Sequence, residues 1–293
     1  MKRILLMAVA AAFVCSCEKQ LPIDEQEVEV KTKKFTFTCK GDFNNPTFSG
    51  IGSTRAVVNL SDETLTDVWV FDFVGGECVQ SLHQESSTAG DTFGRPQLPL
   101  AYGSHHVYFV ASRGTGPVVD TTAKTITWQV PRDTYWKDYE VNVTSTSNGN
   151  RSVTLDRVVT KLRISINDEI PTGMSTMSVT PSVWYYGMNY QTGEPSNMVG
   201  NQERVVSVPT TYIGTTGQLS MGIFGFSSDT EWTSDITVVA KNGDGVTIGS
   251  ASMTGAPLKR NRSTDYSGNL FSSGGAATMT VNNTWDTPVT LSW

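Results

Sequence analysis

Phe35, Phe37 and Cys39 alternate with Lys34, Thr36, Thr38 and Lys40. A two-residue period puts the apolar side chains on one side only if the chain is extended, so this stretch predicts a strand with one buried face. The same reasoning makes Asp67-Val68-Trp69-Val70-Phe71-Asp72-Phe73, apolar at nearly every position, a strand covered on both faces. No stretch of a dozen residues carries helical periodicity. Turn signals such as Gly75-Gly76 and Asn242-Gly243-Asp244-Gly245 instead separate many short extended runs. The expected fold is all-β, built as antiparallel β-sandwiches. A length of 293 residues accommodates two of them in series. Ser147-Asn148-Gly149-Asn150 is the expected boundary, giving sandwiches over 34–149 and 150–293.

The first residues read as an export signal. Lys2-Arg3 precedes an apolar run from Ile4 to Val14 that is shorter than the roughly 20 residues of a membrane span. Val14-Cys15-Ser16-Cys17 resembles a bacterial lipobox, with an aliphatic residue three before Cys17 and a small residue one before it. Residues 1–16 are therefore expected to be removed and Cys17 lipidated. Two or more acyl chains, palmitate among them, would anchor the protein stably. Residues 17–33, polar and with no apolar face, form a flexible leash. Losing Lys2 and Arg3 takes the formal net charge from −6 to −8, which argues against nucleic acid as a partner. Of the remaining cysteines, Cys39 and Cys78 could pair in an oxidising compartment, or Cys39 could simply pack as a small apolar residue.

Chemistry-bearing patterns are scarce. The chain has no Cys-x-x-Cys, His-Glu-x-x-His, Gly-x-Ser-x-Gly or phosphate-loop motif, so neither a catalytic set nor a cofactor is expected. The histidines are His83, His105 and His106. The last two are neighbours that would face opposite sides of a strand, so scattered surface histidines are expected rather than a metal site. Asp67, Asp72 and Asp168 read as turn or strand-end residues. Trp184-Tyr185-Tyr186 with Tyr190 could stack on sugars, as in a non-polymerising surface lipoprotein that binds glycans, or could pack a core.

Three segments carry a family likeness. Val68-Trp69-Val70-Phe71-Asp72 is one, and Leu155-Asp156-Arg157-Val158-Val159-Thr160-Lys161-Leu162-Arg163 leading to Asp168-Glu169-Ile170-Pro171 is the second. The third is Pro257-Leu258-Lys259-Arg260-Asn261-Arg262 before Tyr266-Ser267-Gly268. Together they resemble the fimbrillin-like family, the subunits and anchors of type V pili of anaerobic Gram-negative bacteria. The resemblance implies two tandem transthyretin-like sandwiches and a non-enzymatic lipoprotein at the outer membrane and in the fimbrium. It also implies partnership with other fimbrial subunits and polymerisation by strand exchange in support of adhesion. In such families an arginine-specific protease cuts after the first strand, and Arg55 followed by Ala56 lies where that cut would fall. Phe35, Phe37 and Cys39 would then belong to the exchangeable strand. Val289, Leu291 and Trp293, alternating with Thr290 and Ser292, would make a donor strand or simply the last strand of their own domain. The motifs do not separate stalk, tip and anchor roles.

Overall fold

The computed structural model describes residues 30–43, 56–60, 65–271 and 279–283. Its first half runs β1 (Thr32–Phe43), β2 (Ala56–Asn59), β3 (Asp67–Val74), β4 (Glu77–Glu85), β5 (Gln97–Ala101), β6 (Gly103–Ser112), β7 (Thr115–Asp120), β8 (Thr125–Val130), β9 (Thr134–Val143) and β10 (Asn150–Arg157). The second runs β11 (Val159–Ile166), β12 (Met174–Pro181), β13 (Trp184–Asn189), β14 (Pro195–Val199), β15 (Arg204–Ser207), β16 (Ser220–Phe226), β17 (Trp232–Asn242), β18 (Thr247–Leu258), β19 (Ser263–Gly268) and β20 (Met279–Asn283). The one α-helix among the described residues is the four-residue turn Ser86–Ala89. None of their helices is long and apolar enough to cross a membrane.

The strands of the described residues form four sheets. The largest has the order β2-β1-β10-β9-β6-β3-β4, with β5 joined to β1, and the other three are β16-β11-β19-β20, β15-β12-β17-β18 and β14-β13-β8-β7. The all-β expectation holds, but the sheets are not purely antiparallel. β1 runs parallel to β10, and β11 runs parallel to β19. Alternating hydrophobicity specifies an extended segment with one buried face and carries no information on the direction of its neighbour.

The parity of β3 separates two cores. Val68 and Val70 join Phe35, Phe37, Cys39, Leu98, Leu100 and Phe109 on one face of the large sheet. Trp69, Phe71 and Phe73 point to the other face, against Trp128, Tyr190 and Phe226. A third core lies in the second half, around Leu162, Ile164, Met177, Trp184 and Val238.

The chain does not leave the large sheet at 149/150. Ser147–Asn150 lies between β9 and β10, which are neighbours in that sheet, and the next sheet begins with β11 at Val159. Strands from both halves also share a sheet, since β8 pairs with β13. Lys161 shares the parity of Arg163 and Ser165 on β11 yet is only 7% exposed, and its ammonium lies 5.7 Å from the Phe224 ring. Burial lowers its pKa, with Arg163 adding to the effect.

Residues of the family-like segments pin this crossing. Arg157, 7% exposed, donates to Asp133 through Nε (2.7 Å) and Nη2 (3.0 Å), to Asn261 Oδ1 through Nη1 (3.2 Å) and to the Tyr135 hydroxyl. Asn261 N donates in turn to Val159 O at 2.9 Å. Asp168 Oδ2 accepts from the backbone N–H groups of Leu270 (3.0 Å) and Phe271 (2.6 Å), which suits its expected role as a turn residue. Removing one partner from a buried charged cluster leaves the other uncompensated. Arg157→Met is therefore expected to cost about 3–5 kcal/mol of stability, measured as a lower urea midpoint. A midpoint equal to that of the parent would show that these contacts contribute nothing net.

Candidate functional site

The site is built around β1. Because β1 alternates, Phe35, Phe37 and Cys39 all face inward and are 0% exposed. The Phe35 and Phe37 rings stack with centroids 5.9 Å apart. Phe37 meets Phe109 edge-on at 5.1 Å and Tyr139 at 5.9 Å. The Arg151 guanidinium lies 5.4 Å from the Phe35 ring, on the neighbouring strand β10.

β1 is hydrogen-bonded along both edges. On one side Thr36–Gly41 pair with Asn150–Leu155 of β10. On the other, Thr32–Thr36 pair with β5 and Lys40–Phe43 with β2. The gap between those two partners is bridged by Phe37 N to Pro96 O (3.0 Å) and Cys39 N to Gly94 O (2.9 Å). Gly149 is required at the β10 edge, where an added Cβ would lie 2.4 Å from the Lys34 carbonyl oxygen. Among the described residues, β2 and β5 have no strand partner except β1.

Two polar side chains give β5 a second attachment. Gln80 Nε2 donates to Asp72 Oδ2 and to Pro99 O, both at 2.9 Å. His105 Nε2 donates to Ala101 O (2.9 Å), while its Nδ1 lies 2.7 Å from Asp72 Oδ1. Asp72 is 0% and His105 2% exposed, which corrects the expectation of a strand-end carboxylate and a surface histidine. Strand parity held the signal. Asp72 shares the face of Val68 and Val70, and His105 shares the face of Val107 and Phe109.

The other histidines do lie at the surface beside carboxylates. His83 Nε2 is 2.8 Å from Asp67, and His106 Nδ1 is 3.1 Å from Asp138. Trp184, Tyr186 and Tyr190 of the aromatic platform are 1%, 3% and 0% exposed, and Tyr185 is half-buried with its ring edge-on to Trp232 at 5.3 Å. Trp184 Nε1 donates to Phe224 O at 2.8 Å, and Tyr190 stacks on Phe71 at 4.0 Å. Cys39 and Cys78 are both free thiols, the first buried and the second exposed. Ala56 opens β2 opposite Phe43. Cys17, Arg55, Val289, Leu291 and Trp293 lie outside the described residues.

Burial pushes the Cys39 thiol up from 9.0 to about 12. The folded chain therefore holds this proton more tightly than the unfolded chain. The stability it contributes is whole below about pH 9 and is lost as the pH rises towards 12. Cys39→Ala is expected to lose less stability than the parent between those two pH values in urea titrations. Equal alkaline slopes would contradict a dry site for this thiol.

The model of a family of unknown function, DUF6562, matches residues 118–292. No curated protein matches the chain by sequence. Among solved structures, a candidate adhesin from Bacteroides ovatus aligns with a TM-score of 0.52 at 11% identity, over 87% of this chain and 95% of that one. A candidate cell adhesion protein from the same species gives 0.51 at 13%, over 88% and 100%. A fimbrial assembly protein from Parabacteroides distasonis gives 0.51 at 13%, over 86% and 96%. At such identities the likeness is one of fold, and it agrees with the fimbrillin-like resemblance of the three segments. With more than half of its length matched by the family model, the chain belongs to DUF6562, and its fold is the one seen in these adhesion and fimbrial proteins.

Proposed function

We propose that this protein is a non-enzymatic subunit or anchor of a fimbrial assembly, in which β1 is exchanged for a strand from a neighbouring subunit. The observation that carries the reading is the position of β1. It is a stave whose apolar face is fully buried, with partners on both edges, joined to the rest of the chain through the segment that contains Arg55. In this reading lipid on Cys17 holds the uncut protein at the outer membrane, and cleavage after Arg55 severs Cys17 and β1 from the rest and leaves Ala56 at the head of β2. The chain then forms two sandwiches that meet where it crosses from β10 to β11, a later division than 149/150.

Burying Phe35, Phe37 and Cys39 contributes on the order of 4–8 kcal/mol before backbone hydrogen bonds are counted. A whole domain has a margin of about 5–15 kcal/mol. A subunit that has lost β1 is consequently a strong acceptor for an extended segment with apolar residues at every second position. Val289, Leu291 and Trp293 have that spacing and make the leading donor. The open groove would also invite aggregation, so retaining β1 until assembly protects the subunit in transit. The glycan-binding alternative loses its platform, since its main aromatic residues are core.

The reading is tested by cutting the folded protein with an arginine-specific protease and adding a tagged peptide spanning Thr32–Phe43. The peptide is expected to enter only after cleavage, and a version carrying Phe35→Ser and Phe37→Ser is expected to stay out. Resistance of the Arg55–Ala56 bond while other surface arginines are cut would contradict the processing step. Exclusion of the unmodified peptide from cut protein would contradict the exchange.

A further inference from the structure

A cavity of about 240 Å³ lies where the end of β8 meets β15 and β16, lined by Val130, Arg132, Arg204, Val206, Met221 and Ile223 among others. It is on β1's sheet in no part, since β8, β15 and β16 belong to the three smaller sheets. Two of its lining residues are arginines, and a third, Arg113, lies close enough to act on Arg132 electrostatically. Arg113 N donates to Asp133 O at 3.1 Å, which sets Arg113 beside the Arg132 segment.

The surrounding chain is acidic, with a formal net charge of −6, yet this cluster has no acid of its own. Among the described residues Arg157, Arg163, Arg260 and Arg262 each have a carboxylate within ion-pair distance. None of Arg113, Arg132 and Arg204 makes such a pair there. The acid adjacent in sequence, Asp133, is engaged by Arg157 and by the Tyr135 hydroxyl. Arg132 is half-buried, and burial with two like charges nearby lowers its pKa. A guanidinium in that position is stabilised by an anion that replaces its lost hydration.

Arg204 is held ready for such a partner. Its Nη2 donates to Gln129 O at 2.8 Å, and its guanidinium lies 4.4 Å from the Tyr186 ring. These contacts fix the plane of the fork, so little freedom remains to be lost when a ligand docks. The aliphatic walls add an apolar surface beside the charges, the usual make-up of a small-ligand pocket.

We infer that this cavity binds a small oxyanion-bearing ligand, a carboxylate or sulfate on a body no larger than one sugar ring, with Arg132 and Arg204 as its anion-binding residues. The inference stands apart from strand exchange, because neither the groove nor β1 takes part in it.

Isothermal titration of the full chain with glucuronate, with glucose as the uncharged counterpart and with inorganic sulfate, tests it. Saturable binding of glucuronate or sulfate is expected, with none for glucose, and with affinity falling as sodium chloride is added. Arg132→Gln is expected to weaken the anion about tenfold or more. Arg132→Lys, which keeps the charge but not the fork, is expected to fall between. Arg95→Gln, at an exposed position between β4 and β5 and outside the cavity lining, is the control for non-specific charge loss and is expected to bind as the parent does. Absence of binding by both anions, equal binding of glucose, or an Arg132→Gln protein that binds like the parent while giving a native circular dichroism spectrum would overturn the assignment.

Discussion

The burial of Phe35, Phe37 and Cys39 under a strand that is bonded on both edges is the interaction on which the large sheet depends. β1 is the sole strand partner of β2 and of β5 among the described residues, so the backbone ladders of both are lost when it opens. β1 occupies an interior position in the sheet with its apolar side chains fully enclosed. The cohesion of the sheet is therefore concentrated in a segment that a single cut could separate from everything else.

The rest of the large sheet has contacts that do not involve β1. The strands β10, β9, β6, β3 and β4 form a continuous path, and their second face is packed against Trp128, Tyr190 and Phe226. Arg157 and Asn261 fix the crossing into the second half. The Gln80–Asp72–His105 group binds the carbonyls of Pro99 and Ala101 independently of the ladder to β1. A buried polar group of this kind costs desolvation. Its position offers a reason to keep it, since it ties β5 to β3 and β6 through the carbonyls of Pro99 and Ala101.

Much of this could be read from residue order. The alternation around Phe35 and the continuous apolar run around Trp69 specified a one-sided and a two-sided strand, and both lie as expected. Other features were hidden for definite reasons. The parallel pairing of β1 with β10 depends on a register between segments more than a hundred residues apart, and local periodicity carries none of it. The Ser147–Asn150 turn has the composition of a linker but closes a connection within one sheet. Lys161 shares the parity of Arg163 and Ser165, yet its ammonium lies over the Phe224 ring of β16. Asp72 and His105 were visible by parity, yet charge suggested exposure. Trp184 was ambiguous because an aromatic residue on a strand serves a core and a platform equally well until its neighbours are known.

Native-state hydrogen exchange across a urea series measures the central dependence most directly. If β1 is the stave that secures its neighbours, the amides of β1, β2 and β5 open together, in one step of common free energy, below the global unfolding that exposes β3, β6 and β9. Protection of β5 or β2 that persists after β1 has opened would contradict the account.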